Sequence, residues 1–238
     1  MSSQSAIVLQ ARMGSIRLPG KTLAPIDGRT ILAHCLERLR HRSGLRVIVA
    51  TTTSSDDDVL AGEARRLDAP VVRGPVDDVL ARFVLVAETF QLTTLVRATA
   101  DNPAVDMDAP RRTLELLDRT GAAHVVEHGL PYGAAVEAVS CAALREADAD
   151  ATDAYDREHV TPFLKRNRRF LALDALAPAA VRCPELRLTV DTPEDLEFVR
   201  RVYAVASAMP GPAPLCELIA AATMVAEIEG GASGTGGR

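Results

Sequence analysis

Ile7-Val-Leu-Gln-Ala-Arg-Met-Gly-Ser-Ile-Arg-Leu-Pro-Gly-Lys21 decides how this chain is read. An apolar run, Ala6 to Leu9, gives way at once to a segment carrying Arg12, Gly14, Ser15, Arg17, Gly20 and Lys21. That is the pattern of a buried strand emptying into a loop that holds a polyanion. Without a Cβ, Gly14 and Gly20 let the backbone approach a ligand closely. Successive backbone N–H groups in such a loop form an anion-binding concavity. Of the 27 basic residues only Lys21 and Lys165 are lysines. Position 21 therefore keeps a compact ammonium in a chain that otherwise uses the planar guanidinium, and the two are not chemically equivalent.

Spacing separates this loop from better-known phosphate loops. Its glycines do not fall at GxGxxG. The GxxxxGK[ST] frame needs a glycine where Ser15 stands, and Gly14, Gly20, Lys21 and Thr22 make that frame one residue too long. Pro19 would disturb it further. The loop is expected to be a nucleotide-phosphate loop of another type.

Outward from the loop, strand-like and helix-like segments alternate. Strands are predicted at Ala6–Gln10, Arg46–Thr51, Pro70–Val72, Leu95–Ala98, Ala122–Glu127, Val136–Val139 and Leu186–Val190. Helices are predicted at Thr30–Arg42, Asp56–Leu67, Asp77–Phe90, 108–119, 141–148, from Thr192 to about Ala208, and 214–229. Thr30 and Thr192 suit N-caps, and Pro193 suits the first helical position. Helices between strands imply βαβ crossovers and a parallel sheet, whose ligands sit beyond the carboxyl ends of the strands. The opening loop, the cluster Thr51–Ser55 and Thr99-Ala-Asp-Asn-Pro103 all fall there. Residues 128–185 are less regular, and the Gly/Ser-rich tail 230–238 is expected to be disordered. One domain over residues 1–229 is expected.

Bulk properties narrow the function. A 238-residue chain with 47% apolar residues has ample material for a core. Its net charge of −5 and 3% aromatic content speak against a nucleic-acid surface. Four scattered cysteines show no metal spacing. No apolar stretch is long enough for a membrane span, and little chain precedes the first strand, so a cytoplasmic protein is expected.

Asp101 and Asp191 each follow a predicted strand. They could share Mg²⁺, which takes one or two carboxylates plus phosphate oxygens, or they could be turn residues and helix caps. Tyr155-Asp-Arg-Glu-His-Val-Thr-Pro-Phe163 is densely polar; His159 could serve a substrate oxyanion or a proton transfer, or the run could face a partner subunit. Glu137 in a short apolar strand is a further candidate contact, and Asp56–Asp58 reads as a solvated helix start.

The opening motif Gln10–Lys21 resembles that of the cytidylyltransferases that activate acidic sugars, closest to their spore-coat polysaccharide branch. Asp77-Asp-Val-Leu-Ala-Arg-Phe83, Val96–Pro103, Tyr155–Pro162 and Leu188-Thr-Val-Asp-Thr-Pro-Glu-Asp-Leu196 match in the same order over about residues 6–205. The resemblance implies a GT-A-like (Rossmann-like) α/β nucleotidyltransferase, with a mixed, mainly parallel sheet and helices on both faces. It implies CTP as substrate, a small anionic acceptor, Mg²⁺ on Asp101 and Asp191, and a homodimer contacting through the irregular middle region. By matching position, Arg12, Arg17 and Lys21 would hold the triphosphate. Leu9, Gln10, Ala11, Met13, Gly14, Ser15, Asp78 and Thr99 would border the nucleotide. Arg97, Glu137, Arg157 and His159 are the candidate acceptor contacts. A glycosyltransferase using a sugar nucleotide is the alternative on the same fold. The chain departs from the branch at Ile16, Ala100, Asn102 and Ala135. Ala135 replaces an expected acid, which leaves the acceptor open.

Overall fold

The computed structural model describes residues 4–206 and 211–233. Nine strands are assigned among them: β1 (Ser5–Gln10), β2 (Pro25–Ile26), β3 (Arg29–Thr30), β4 (Arg46–Thr52), β5 (Val71–Gly74), β6 (Thr94–Thr99), β7 (His124–His128), β8 (Glu137–Ser140) and β9 (Ala172–Leu176). The helices are α1 (Ile31–His41), α2 (Asp58–Arg66), α3 (Val79–Thr89), α4 (Ala109–Thr120), α5 (Cys141–Asp150), α6 (Ala154–His159), α7 (Pro162–Arg166), α8 (Pro193–Ala206) and α9 (Leu215–Ser233).

Seven strands form one sheet in the order β5-β4-β1-β6-β8-β7-β9. The β1, β4, β5 and β6 neighbours pair in parallel, β7 pairs in parallel with β9, and β8 alone runs against its neighbours. The mixed, mainly parallel sheet therefore matches the sequence reading. Strand alternation splits the core in two. Ile7 and Leu9 of β1 face one layer with α1, α2, α4, α8 and α9, while Ala6 and Val8 face another with α3 and α5. Central β1 is apolar on both faces because helices cover both.

Local chemistry sets the helix starts. Thr30 Oγ1 accepts from Ala33 N–H at 3.1 Å and caps α1. Asp78 Oδ1 accepts from Ala81 N–H at 2.9 Å and caps α3. At α8, Asp195 Oδ2 accepts from the N–H groups of Asp191 (2.9 Å) and Thr192 (3.0 Å), and Thr192 Oγ1 accepts from Asp195 N–H. This reciprocal cap fixes the backbone of Asp191.

Three sequence expectations need correction. Leu186–Val190 is not a strand. It is an extended segment with one bridge, Tyr132 to Arg187, because its backbone pairs with loops: Leu188 N–H with Tyr132 O at 2.9 Å and Val190 N–H with Asp101 O at 2.8 Å. Edge strand β9 was not anticipated, since the stretch 170–176 mixes small, apolar and acidic residues without clear alternation. Finally, α9 continues to Ser233, past the expected end at 229. The remainder of the expected disordered tail, 234–238, lies outside the described residues.

Candidate active site

The loops after β1 and β6 open onto the carboxyl edge of the sheet, where a cleft of about 840 Å³ lies. Of the candidate nucleotide and phosphate residues, Gln10, Ala11, Arg12, Gly14, Ser15, Arg17, Lys21 and Thr99 line it, together with Asp101 and Asp191. Arg97, Glu137 and His159 line its other end. Most of the residues singled out in the sequence thus converge on one cleft.

At the centre stands Lys21, only 9% exposed. Gly20, at φ 72°, turns the chain into a short 3₁₀ turn at Lys21–Leu23. This brings Lys21 Nζ within 2.8 Å of Asp191 Oδ1, 3.1 Å of Asp101 Oδ2 and 2.8 Å of the Val190 carbonyl. All three of the ammonium's donors are used. Asp101 arrives from the end of β6; Asp191 arrives from the segment docked on the Asp101 carbonyl. Burial alone would raise the Asp191 pKa, but the hydrogen bond and charge of Lys21, with Arg187 and Arg17, hold it below the usual carboxylate value. Arg187 Nη2 lies 2.6 Å from Asp191 Oδ2, and Arg17 Nη2 lies 3.2 Å from the same oxygen.

The loop 128–133 packs against both aspartate-bearing segments. Gly133 sits at φ 97°, and a Cβ there would meet Thr189 N at 2.7 Å and Asn102 Oδ1 at 2.9 Å. Only glycine allows so close an approach. Asn102 itself donates from Nδ2 to Thr99 Oγ1 at 2.8 Å, fixing the turn that carries Asp101.

The far end of the cleft is a charge cluster around Glu137. Its carboxylate takes Arg97 (2.8 Å), Lys165 (2.6 Å), Thr161 Oγ1 (3.1 Å) and His124 Nε2 (3.3 Å). Burial would raise its pKa, but Arg97, His124 and Lys165 bring it well below the ordinary value. Glu127, also lining the cleft, is neutralised from outside by Arg112, which also holds Asp106. Both lysines of the chain therefore rest on carboxylates of this one cleft. His159 stacks against Tyr155 with ring centroids 4.3 Å apart, and Glu158 comes within 3.7 Å of Arg12.

Other candidates fall elsewhere. Arg157 does not enter the cleft: its donors go to Asp78 (2.6 Å), Asp148 (2.5 Å) and the Asp148 and Ala151 carbonyls. It ties α6 to α3 and α5, and Asp78, engaged as helix cap and ion-pair partner, does not line the cleft. Leu9 is buried in the core, so only its backbone could border a base. Met13 does not line the cleft: its N–H is held by Asp57 and its carbonyl by the N–H groups of Ser15 and Gly20. Asp57 is buried while Asp56 and Asp58 are exposed, so the expected solvated helix start is corrected at Asp57 alone. Sequence reading missed Asp57, Lys165, Thr161 and Arg187. Lys165 carried a signal, as the second lysine; the others look like ordinary surface residues.

Among the described residues no cluster of three or more His, Cys, Asp or Glu could hold a metal ion. The Asp101–Asp191 dyad offers hard oxygen donors only, and it already holds a cation in the form of Lys21. That donor set suits a divalent ion shared with phosphate oxygens. Among the described residues no helix is long and apolar enough to cross a membrane.

Comparison with known proteins adds the following. A family model described as cytidylyltransferase matches residues 6–218. The spore coat polysaccharide biosynthesis protein SpsF of Bacillus subtilis (strain 168) is 31% identical over 210 residues, covering 85% of this chain and 88% of the relative. Among solved structures, a cytidylyltransferase from Leptospira borgpetersenii serovar Hardjo-bovis (strain JB197) superposes with a TM-score of 0.84 at 27% identity, covering 95% of this chain and 96% of the other. A CMP:2-keto-3-deoxy-manno-octonic acid synthetase complexed with CTP shares the fold, with a TM-score of 0.66 at 20% identity over 85% of this chain and 99% of the other.

Proposed function

The chain belongs to the cytidylyltransferase family, and on that footing we propose that it transfers CMP from CTP to a small anionic acceptor, such as an acidic sugar or a phosphate or phosphonate, with Mg²⁺ as cofactor and release of pyrophosphate. The observation that carries this reading is Lys21 bridging Asp101 and Asp191 beside the exposed guanidinium groups of Arg12 and Arg17.

In the proposed reaction the acceptor's oxygen attacks the α-phosphorus in line and pyrophosphate departs. Such transfer needs positioning and charge neutralisation more than covalent help. Asp101 and Asp191 would hold Mg²⁺, which when bound supplies Lewis-acid stabilisation of phosphate charge. Arg12, Arg17 and Lys21 face the developing charge on the leaving pyrophosphate, and removing one such contact typically costs a factor of about 10² to 10³ in turnover. Gln10, Ala11, Gly14, Ser15 and Thr99 line the nucleotide end of the cleft.

The acceptor end favours an anion. Two full cations, Arg97 and Lys165, converge on the single carboxylate of Glu137, and Arg97 Nε is buried without a hydrogen-bond partner among the described residues. His159 and Ala135 border the same space.

We further assign the enzyme to the cytoplasm, where CTP is available, as one catalytic unit over residues 1–229. A homodimer is proposed through the region 128–185, where Tyr155, Leu171 and Leu176 are exposed. Calorimetric titration with CTP, UTP, ATP and GTP, with and without Mg²⁺, tests the nucleotide assignment. CTP with Mg²⁺ is expected to bind at least about tenfold more tightly than the others, a difference of about 1.4 kcal/mol. Equal binding of all four would overturn it.

A further inference from the structure

Residues 11–20 contain almost no regular structure, yet they carry Arg12 and Arg17. Their shape comes from a hub at Met13. The Met13 carbonyl accepts from Ser15 N–H at 2.8 Å and from Gly20 N–H at 3.2 Å. Its N–H donates to Asp57 Oδ1 at 2.7 Å. Arg12, next in the chain, has its carbonyl held by Thr22 Oγ1 at 3.1 Å.

Asp57 comes from the connection between β4 and α2 and is 2% exposed. Its second oxygen accepts from Thr52 N–H at 3.2 Å and from the Thr52 hydroxyl. A carboxyl group this deep is stable only with its lone pairs filled. Arg82 of α3, 1% exposed, donates from Nη1 to the Pro75 and Val76 carbonyls. Burial, followed by the like charge of Arg12, lowers the Arg82 pKa, while Asp57, Asp78 and Asp77 oppose that. Gly74 gives Arg82 room, since a Cβ there would lie 2.8 Å from Arg82 Cγ.

We propose that Asp57 is the positioning residue for the nucleotide's outer phosphates: by holding the Met13 N–H it sets the direction in which Arg12 and Arg17 leave the loop. The proposal rests on the loop being the triphosphate site. An asparagine at 57 keeps the shape but turns one acceptor into a donor, which faces either the Met13 N–H or the Thr52 N–H, so the loop loses either its tether or that tether's anchor.

The test is calorimetric affinity of the full chain for CTP and for CMP with Mg²⁺, together with thermal midpoints. Asp57→Asn is expected to weaken CTP about tenfold while CMP, which lacks the outer phosphates, binds as before. Thr52→Val, which removes the hydroxyl bond to Asp57 together with the one that Thr52 Oγ1 accepts from Ser54 N–H at 3.1 Å, is expected to weaken CTP in the same direction by less. Equal losses for CTP and CMP would mean a merely structural role and overturn the proposal, as would wild-type CTP affinity in Asp57→Asn. If Asp57→Asn does not fold, Thr52→Val decides, and unchanged CTP affinity there overturns the proposal. Wild-type protein that binds CTP no better than CMP would instead overturn the triphosphate reading itself.

Discussion

Lys21 Nζ lies 2.8 Å from Asp191 Oδ1, and the same ammonium reaches Asp101 at 3.1 Å. One buried cation therefore joins the opening loop to the two carboxylates beyond the sheet edge. The arrangement makes Lys21 an internal counter-ion where a divalent cation is proposed to sit.

Removing that ammonium separates its two roles. Lys21→Met is expected to lower CTP-dependent turnover by roughly 10²- to 10³-fold. It should also strengthen Mn²⁺ binding to the nucleotide-free protein, because the dyad then lacks its own cation. Electron paramagnetic resonance titration reads the second effect without any acceptor. Unchanged or weaker Mn²⁺ binding would show that Lys21 does not compete for the dyad.

The charge cluster around Glu137 predicts an acid response. Glu137 titrates below its ordinary value of about 4.3, so its stabilising contribution is complete above that pH and is lost as pH falls through its lower folded value. Replacing Arg97 by Gln raises the folded pKa, so the acid-dependent loss becomes smaller and is complete at a higher pH. At neutral pH Arg97→Gln is expected to cost about 3 kcal/mol, since it strips a partner from a buried charge. Lys165→Met, with Lys165 largely solvated, should cost about 1 kcal/mol or less. Thermal midpoints between pH 3 and 7 for the three proteins check both statements.

Two glycines with positive φ should behave differently on substitution. Gly133→Ala drives a Cβ into the backbone of Thr189 and the side chain of Asn102, on the two segments that carry the aspartates. Turnover should fall at least about tenfold, along with about 1–3 kcal/mol of stability. Gly121→Ala, at φ 66° with open space around it, should cost about 1 kcal/mol and leave turnover intact.

Arg157→Ala addresses the corrected acceptor assignment. Because this guanidinium staples α6 to α3 and α5, its loss should lower the thermal midpoint while the KM for CTP stays within about twofold of wild type. A large change in KM with an unchanged midpoint would return Arg157 to the site.

What the sequence disclosed follows physical lines. The opening loop was legible because glycine, arginine and lysine at short spacing after an apolar strand have few other uses. Asp101 and Asp191 were legible as lone acids after extended segments, one of which the structure keeps extended without making it a strand. The elements lost to sequence reading depend on partners far along the chain. Asp57 looks like one of three acids opening a helix, and only folding buries it against Met13. Arg157 sits in the same polar run as His159, yet helix geometry turns it towards Asp78 and Asp148. Strand β9 has weak alternation of its own and is fixed by pairing with β7.

The central claim is nucleotidyl transfer from CTP, and the most direct measurement is pyrophosphate release. Each of the four nucleoside triphosphates should be incubated with Mg²⁺ and a panel of acidic sugars, sugar phosphates and phosphonates. The account predicts acceptor-dependent pyrophosphate release with CTP, abolished in Asp101→Asn and Asp191→Asn. No release from any pair, alongside turnover of a sugar nucleotide, would contradict it and point to glycosyl transfer.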